Sequence, residues 1–331
     1  MNGFGREANT ASLERARAGL LGSIETYRAS VQNILANMEV AYWAVARWQE
    51  QLQLDESNLR VAEALLDEAR ERERIGMVTQ IEVLQAEALK AQRVEEIITS
   101  RQALGDAFDQ LLAYMGTLPQ NADPAPSHTV ELLDSNGEAV PDFTEIWNQA
   151  LRNDPAIAAQ EAAIDQSEWD EIAARSAAKP NLDLVVTGAY TGVDVDKAQT
   201  AIENAIDRDG HAWSVGVEFN MPWNMRGEKA DLRIAGKRLE QENIRLLELK
   251  QDLFRDVRSA WRALQSVQQS VEAASLTVKL QEATFEREKS MYEEGLSAIR
   301  DVLEAQNDLD QARIRLLRSK QLRRSSEIEL A

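Results

Sequence analysis

The sequence predicts a mainly α-helical protein with a small β part, built from long antiparallel coiled-coil hairpins. Three observations indicate this fold class. Helix-forming residues dominate the composition, apolar heptads continue through most of the chain, and one unit of sequence occurs twice. Sustained heptads in a chain rich in Ala, Glu, Leu and Arg are typical of coiled coils.

Composition supports long helices and excludes several kinds of function. Of 331 residues, 44% are hydrophobic and 5% aromatic, with only 15 glycines and 7 prolines. The formal net charge of −19 argues against nucleic-acid binding, which requires a basic face. The chain has no cysteine, which excludes disulfides and thiolate metal sites. It also has no run of about 20 apolar residues that would predict a transmembrane helix.

The sequence offers no catalytic or metal site. Its two histidines, His128 and His211, have no spacing suited to a metal pair. Neither a phosphate-binding loop nor a G-x-S-x-G motif occurs. We therefore predict a protein that is not an enzyme and that has no cofactor and no metal.

A repeated unit is visible at an offset of 219 residues. Placing Gly76 on Gly295 also aligns Val83 with Val302. A glycine inside a helix costs about 1 kcal/mol relative to alanine. Both glycines are therefore predicted to lie at hairpin tips, where their permissive backbone lets two helices reverse.

Apolar residues recur every seven positions in both copies. In the first copy one such series is Ile24, Val31, Met38, Val45, Leu52, Leu59 and Leu66. In the second copy the corresponding series is Val257, Leu264, Val271, Val278, Phe285 and Tyr292. A second series in the first copy has Asp55 as its one clear break. At 1.5 Å per residue each long helix would extend for roughly 100 Å.

These patterns predict a domain order. Residues 1–118 form the first repeat with its tip at Gly76, and residues 119–143, rich in Pro, Asn, Asp and Ser, form a linker. The second repeat, residues 144–331, contains helices in 144–178, a strand pair in 181–221, and a hairpin in 227–331 with its tip at Gly295.

In the predicted strand pair the hydrophobic period changes to two, which gives each strand one apolar face. Each strand has about the 9–11 residues of a tilted transmembrane strand. Aromatic side chains suited to a lipid interface are Tyr190, Trp213, Phe219 and Trp223. The alternative is an ordinary hairpin packed on helices. Two strands cannot close a barrel alone, so closure would need other chains.

The order of these features resembles the TolC-like outer-membrane efflux protein family. The resemblance rests on "LRNDPAIAAQEAAI", "AAKPNLDLVVTGAY", "WSVGVEFNMPWNMRGEKADL" and the tip phrases around Gly76 and Gly295, over nearly the whole chain. It implies a homotrimer with a shared β-barrel in outer-membrane lipid and a periplasmic α-barrel made of the hairpins. It also implies a passive exit duct for an efflux pump or type I secretion, working with a periplasmic adaptor and an inner-membrane transporter.

The first copy departs from the family pattern. In the family this copy begins with a signal peptide, a helix and a strand pair, whereas this sequence starts at "NGFGREA". We expect an N-terminally truncated form of an outer-membrane protein, with the missing signal peptide an artefact of the boundary. Three such chains would supply six strands, too few for the family's barrel.

The resemblance assigns two carboxylates to the periplasmic entrance. Asp301 and Glu304 lie three residues apart, hence on one helix face, and match the family's acidic ring. Three chains would then bring six carboxylates together, which attract cations. Close like charges would also raise the pKa of some of these carboxyls. The alternative is a solvated acidic pair on a coiled-coil surface.

The resemblance also assigns a latch and a docking surface. Tyr292 matches a tip tyrosine that holds the entrance closed, and Glu82 matches its acidic partner. Ser297 stands where the family has an arginine, so we expect a weaker latch, or one rewired through Arg300. Alternatively, Tyr292 only continues its heptad. The predicted adaptor-contacting residues are Gly76, Met77, Val78, Thr79, Gly295, Leu296 and Ser297.

A competing interpretation is a soluble coiled-coil scaffold without a transport role. The strand pair discriminates between the two, because a scaffold has no reason to keep an alternating apolar face. On the residues that carry the resemblance, we predict an outer-membrane location with the helical part in the periplasm.

Overall fold

The structure, a computed structural model, describes residues 5–117, 140–190, 211–221 and 225–330. The elements in these ranges are α1 (Arg6–Arg74), α2 (Gln80–Tyr114), α3 (Phe143–Asn153), α4 (Pro155–Ala177), β1 (Asn181–Tyr190), β2 (His211–Asn220), α5 (Arg226–Glu293) and α6 (Ile299–Leu330). The predicted class, mainly helical with a small sheet, is confirmed. Within the described ranges, no helix combines the length and apolar character needed to cross a membrane.

The chain divides into two compact units. One comprises Met1–Ala29 and Asn153–Gln251, and the other comprises Ser30–Arg152 and Asp252–Ala331. The helices α1 and α5 contribute residues to both units. The strand pair belongs to the first unit, and the ends of the helices that meet at Gly76 and Gly295 belong to the second.

In the first unit, α4 starts at a well-formed cap. The Asp154 carboxylate accepts hydrogen bonds from the backbone N–H groups of Ala156 (2.7 Å) and Ile157 (3.0 Å). Pro155 occupies the first helical position, where its missing N–H leaves no hydrogen bond unmade. The side chain of Gln160 then joins α4 to α5, because its Nε2 donates to the backbone oxygen (3.0 Å) and a carboxylate oxygen (2.8 Å) of Glu242.

The antiparallel pairing of β1 with β2 gathers most of the large apolar residues of both strands on one face, with Val185 on the other. Leu184 lies opposite Val217 and Val186 opposite Val215. These four side chains are 56–69% exposed, so no described part of the chain covers the face. This argues against the alternative of a hairpin packed on helices, because such a hairpin would bury its apolar face.

In the second unit, a core cluster joins α1, α2, α5 and α6. Its members are Leu65, Leu66, Ala69, Val83, Ala86, Phe285, Tyr292, Ile299, Val302, Ala305 and Leu309. Most are apolar residues within a few turns of the two glycines, so the packing that holds the four helix ends together lies close to the turns.

The two helix reversals have the same backbone structure. Gly76 has a φ of +77° and Gly295 a φ of +75°, both in the left-handed region. In each turn the glycine N–H donates to the carbonyl three residues earlier, at 2.8 Å for Gly76 and 2.9 Å for Gly295. The next N–H donates to the carbonyl five residues earlier, at 2.8 Å in both turns. This is the Schellman arrangement, which satisfies terminal helix carbonyls and favours glycine at the left-handed position.

Replacing Gly295 with alanine should lower the free energy of unfolding by about 1–2 kcal/mol, because the left-handed backbone is strained for a residue with a Cβ. No heavy atom lies within 4 Å of that Cβ, so steric contact adds nothing. Gly236→Ala is the matched control, since Gly236 lies within α5 and its Cβ also meets open space. That variant should gain about 1 kcal/mol from helix propensity. Urea unfolding measures both, and a loss of stability in both variants would contradict this assignment.

Candidate functional site at the hairpin tips

The carboxylate of Asp301 is held in a small polar network at the start of α6. The guanidinium of Arg300 donates to Oδ1 of Asp301 from Nε (3.2 Å) and Nη2 (2.9 Å). The hydroxyl of Ser297 lies 3.1 Å from a carboxylate oxygen of Glu288 and 3.5 Å from Oδ2 of Asp301, so its single proton is shared unequally between them. Ser297 therefore connects the last turns of α5 to the first turn of α6.

Within one chain, Arg300 dominates the electrostatics at Asp301. The hydrogen bond from Arg300 holds the pKa of Asp301 below its usual value, with further help from the charge of Arg300. The raised pKa predicted for some carboxyls of the ring concerns like charges from three chains, and it stays a prediction. Glu304 lies on the same helix face and is exposed to solvent. The arrangement keeps Asp301 ionised and partly neutralises it.

The ring of Tyr292 is part of the core, and its side chain is only 1% exposed. Burial raises the pKa of its phenol, and the nearby carboxylates of Glu68 and Glu82 act in the same direction. Its hydroxyl has no hydrogen-bond partner among the described residues. The structure therefore shows no Tyr292–Glu82 hydrogen bond within the described chain, although Glu82 is close enough to affect the phenol.

Arg72 connects the end of α1 to the end of α5, and the sequence did not identify it. Its Nη1 donates to the carbonyl oxygen of Tyr292 (2.7 Å) and its Nη2 to that of Glu293 (3.3 Å). The guanidinium carbon lies 4.1 Å from the centroid of the Tyr292 ring. Nη2 also lies 2.7 Å from a carboxylate oxygen of Glu68. Arg72 thus satisfies helix-end carbonyls, places positive charge at the negative end of α5, and stacks on an aromatic face.

The remaining tip residues form an exposed surface with large apolar side chains. Met77 is 74% exposed and Leu296 is 70% exposed, at matching positions after the two glycines. Thr79 is exposed as well, whereas Val78 and Ser297 are half-buried. Large apolar side chains that are exposed at matching positions of two turns are suited to contact with another protein.

Two of the predicted strand aromatics can be located. Trp213 is 76% exposed and Phe219 is 64% exposed. Phe219 lies opposite Leu182, on the apolar face of the strand pair. Trp223 and the side chain of Tyr190 lie outside the described residues.

Together these features define a class of protein, with duplicated helical hairpins, acidic tips and a strand pair that exposes an apolar face. Residues 4–117 and 146–331 match the outer membrane efflux protein family, and the chain belongs to that family. The resemblance found in the sequence is confirmed.

Known relatives agree with this assignment. The chain is 25% identical over 272 residues to the outer membrane efflux protein BepC of Brucella suis biovar 1, covering 81% of this chain and 55% of BepC. It is 26% identical over 263 residues to the pyoverdine export outer membrane protein OpmQ of Pseudomonas putida, covering 77% and 52%. The chain thus spans about half the length of these relatives.

Solved structures show the same fold. The open state of the MtrE outer membrane channel of Neisseria gonorrhoeae superposes with a TM-score of 0.77 at 20% identity, covering 97% of this chain and 70% of the channel. The similarity includes nearly all of the present chain.

Proposed function

We propose that this chain is a subunit of an outer-membrane exit duct, a passive conduit that opens at its hairpin tips and serves an efflux pump or a type I secretion system. The observation that carries the proposal is the exposed apolar face of the strand pair, where Leu184, Val186, Val215 and Val217 lie side by side. A face of this kind is stable against lipid and unfavourable in water. The soluble-scaffold alternative gives no reason for it.

We propose a homotrimer as the assembled form. The first unit exposes apolar side chains on α1 as well as on the strands, including Leu20 (61%), Leu21 (57%) and Tyr27 (72%). Additional copies of this chain are suitable partners for such surfaces, since a two-stranded sheet cannot close on itself. The location that follows is the outer membrane, with the helical part in the periplasm.

At the tips we propose a ring of Asp301 and Glu304 from each chain as the periplasmic entrance. Arg300 pairs with Asp301, so the three side chains carry a net charge of about −1 per chain. The ring would still attract cations, but less strongly than six unpaired carboxylates would.

We assign the latch to Tyr292 with Arg72, rather than to Tyr292 with Arg300. The contacts of Arg72 with the ring and carbonyl of Tyr292 support this assignment, with Glu82 beside the phenol. The hydrogen bonds of Arg300 go to Asp301, which makes it a partner of the entrance carboxylate.

We propose the exposed tip residues as the docking surface for a periplasmic adaptor protein, through which an inner-membrane transporter would connect. Met77 and Leu296 offer the largest apolar contacts, at equivalent places on two turns of equal geometry. Gly76, Val78, Thr79, Gly295 and Ser297 complete this surface.

Single-channel recording in planar bilayers tests the entrance ring, in a version of the protein extended to the full length of its relatives. The charge-neutral double variant Asp301→Asn and Glu304→Gln should shift the reversal potential in a KCl gradient toward zero, because the acidic ring favours cations. The matched control is Asp106→Asn with Asp109→Asn, an exposed pair on α2 with the same spacing and charge change. That control should leave the reversal potential unchanged.

Two results would count against these proposals, and they are distinguishable. If the reversal potential is equal in the wild-type protein and the tip variant, the acidic ring does not select cations. If the extended wild-type protein gives no current in bilayers and no association with lipid, the chain is not part of a conduit.

A further inference from the structure

Polar side chains interrupt the core of the second unit at two aspartates. Asp55 on α1 is 3% exposed and accepts hydrogen bonds from Gln51 (2.9 Å) and from the hydroxyl of Ser100 on α2 (2.5 Å). Asp310 on α6 is 1% exposed and accepts a hydrogen bond from Gln306 (2.9 Å). Both carboxyls are thus removed from water, and each accepts at least one hydrogen bond from a neutral donor.

The guanidinium of Arg93 interacts with the carboxylates of this region. Arg93 on α2 is 3% exposed, and its Nη2 lies 2.5 Å from Oδ2 of Asp310 in the geometry of an ion pair. Its Nη1 donates to a carboxylate oxygen of Glu96 at 2.7 Å. Arg93 also attracts the Asp55 carboxylate electrostatically. Three carboxylates therefore compete for one buried cation.

The other charged groups near Asp310 do not correct this imbalance. Arg313, on the same helix, attracts the Asp310 carboxylate. That arginine is itself bonded to Glu282 of α5 at 2.6 Å. From α2, Glu96 opposes ionisation of Asp310, and α1 contributes Asp55 as a further buried carboxylate. Full ionisation would leave excess negative charge in a region that excludes water, which is unfavourable.

Burial raises the pKa of Asp310 to about 6, although Arg93 and Gln306 act against the shift. Burial raises the pKa of Asp55 as well. A carboxyl whose folded pKa exceeds its unfolded pKa favours the packed state when it is protonated. The packed state is therefore favoured at low pH, and this advantage is lost as the pH rises through about 6.

We propose that Asp310, Arg93 and Glu96 form a proton-binding site between α2 and α6, which tightens the packing of these two helices as the pH falls. The occupant is a single proton on Asp310. The proposal concerns the packing of two helices within one chain, so it stands whether or not the chain forms a conduit.

Pulsed electron paramagnetic resonance on the whole chain tests this proposal. The chain has no cysteine, so Ala91→Cys on α2 and Asn307→Cys on α6 can carry the only two nitroxide labels. Both positions are exposed. The distance distribution should be narrow at pH 5, and broader and longer at pH 8.

Variants distinguish a response that depends on protonation of Asp310 from a contact that is only structural. Asp310→Asn can still accept the hydrogen bond from Gln306 but cannot ionise, so its distribution should stay narrow at both pH values. Glu96→Gln removes a carboxylate that competes for Arg93, so the midpoint of the transition should move to lower pH. Asp106→Asn, at an exposed position of α2, is the control and should keep the wild-type response. A wild-type distribution that is equal at pH 5 and pH 8, or an Asp310→Asn variant that still responds, would overturn the proposal.

Discussion

Replacing Arg93 with methionine is expected to lower the free energy of unfolding by about 3–5 kcal/mol at pH 7.5, because removing one partner of a buried ion pair leaves the other charge uncompensated. Asp310 is 1% exposed and has Arg93 as its one ion-pair partner among the described residues. At pH 5 the loss should be smaller, since Asp310 can then become neutral by taking up a proton. Urea unfolding followed by circular dichroism at the two pH values measures both effects.

A second variant separates the lost charge pair from lost packing. Arg93→Met combined with Asp310→Leu should recover most of the stability, because an apolar pair of similar volume can replace a buried ion pair. Arg101→Met, at an exposed position of the same helix, should change stability by no more than about 0.5 kcal/mol. If Arg93→Met and Arg101→Met lose equal stability, Arg93 does not neutralise a buried carboxylate.

Replacing Tyr292 with alanine is expected to cost about 3–5 kcal/mol, the range for removing a large aromatic ring from a core. The ring is 1% exposed, belongs to the cluster that joins four helices, and supports the guanidinium of Arg72. Tyr292→Phe keeps the ring and removes only the hydroxyl. Because that hydroxyl has no partner among the described residues, its loss should change stability by less than about 0.5 kcal/mol.

The comparison of the two Tyr292 variants also bears on the latch. If Tyr292→Phe is as stable as the wild-type protein in chemical unfolding, then the ring and the backbone carbonyl of Tyr292 stabilise the tip and the hydroxyl does not. A loss comparable to that of Tyr292→Ala would show that the hydroxyl makes a strong hydrogen bond, and would favour a latch through the phenol.

Features with local sequence signals could be predicted well. The sevenfold spacing of apolar residues predicted long paired helices, and the period of two in "HAWSVGVEFN" predicted a strand with one apolar face. Residues three or four positions apart share one face of a helix, and residues two positions apart share one face of a strand, so nearby residues determine which face is buried. The fold class followed from these short spacings.

Contacts between distant parts of the chain could not be predicted in this way. Arg72 and Tyr292 are 220 positions apart, and a basic residue in the last turn of a helix is expected to serve its own helix. The break of the heptad at Asp55 was the signal of this polar region that the sequence analysis identified. Arg93 and Ser100 lie on a seven-residue series with Ala86 and Ala107, and all four residues are buried. These two polar residues at core positions of α2 also indicated a polar region.

The buried contact between Arg93 and Asp310 also determines the register in which α6 packs along α2. A duplicated sequence with apolar heptads permits many alignments, because sliding one helix by a heptad again brings apolar residues together. Any such slip would separate Arg93 from Asp310 and leave two unpaired charges in the core, at several kcal/mol for each ion. The polar contact therefore selects one register. It distinguishes the correct pairing of α2 with α6 from the similar pairings that the repeat would otherwise allow.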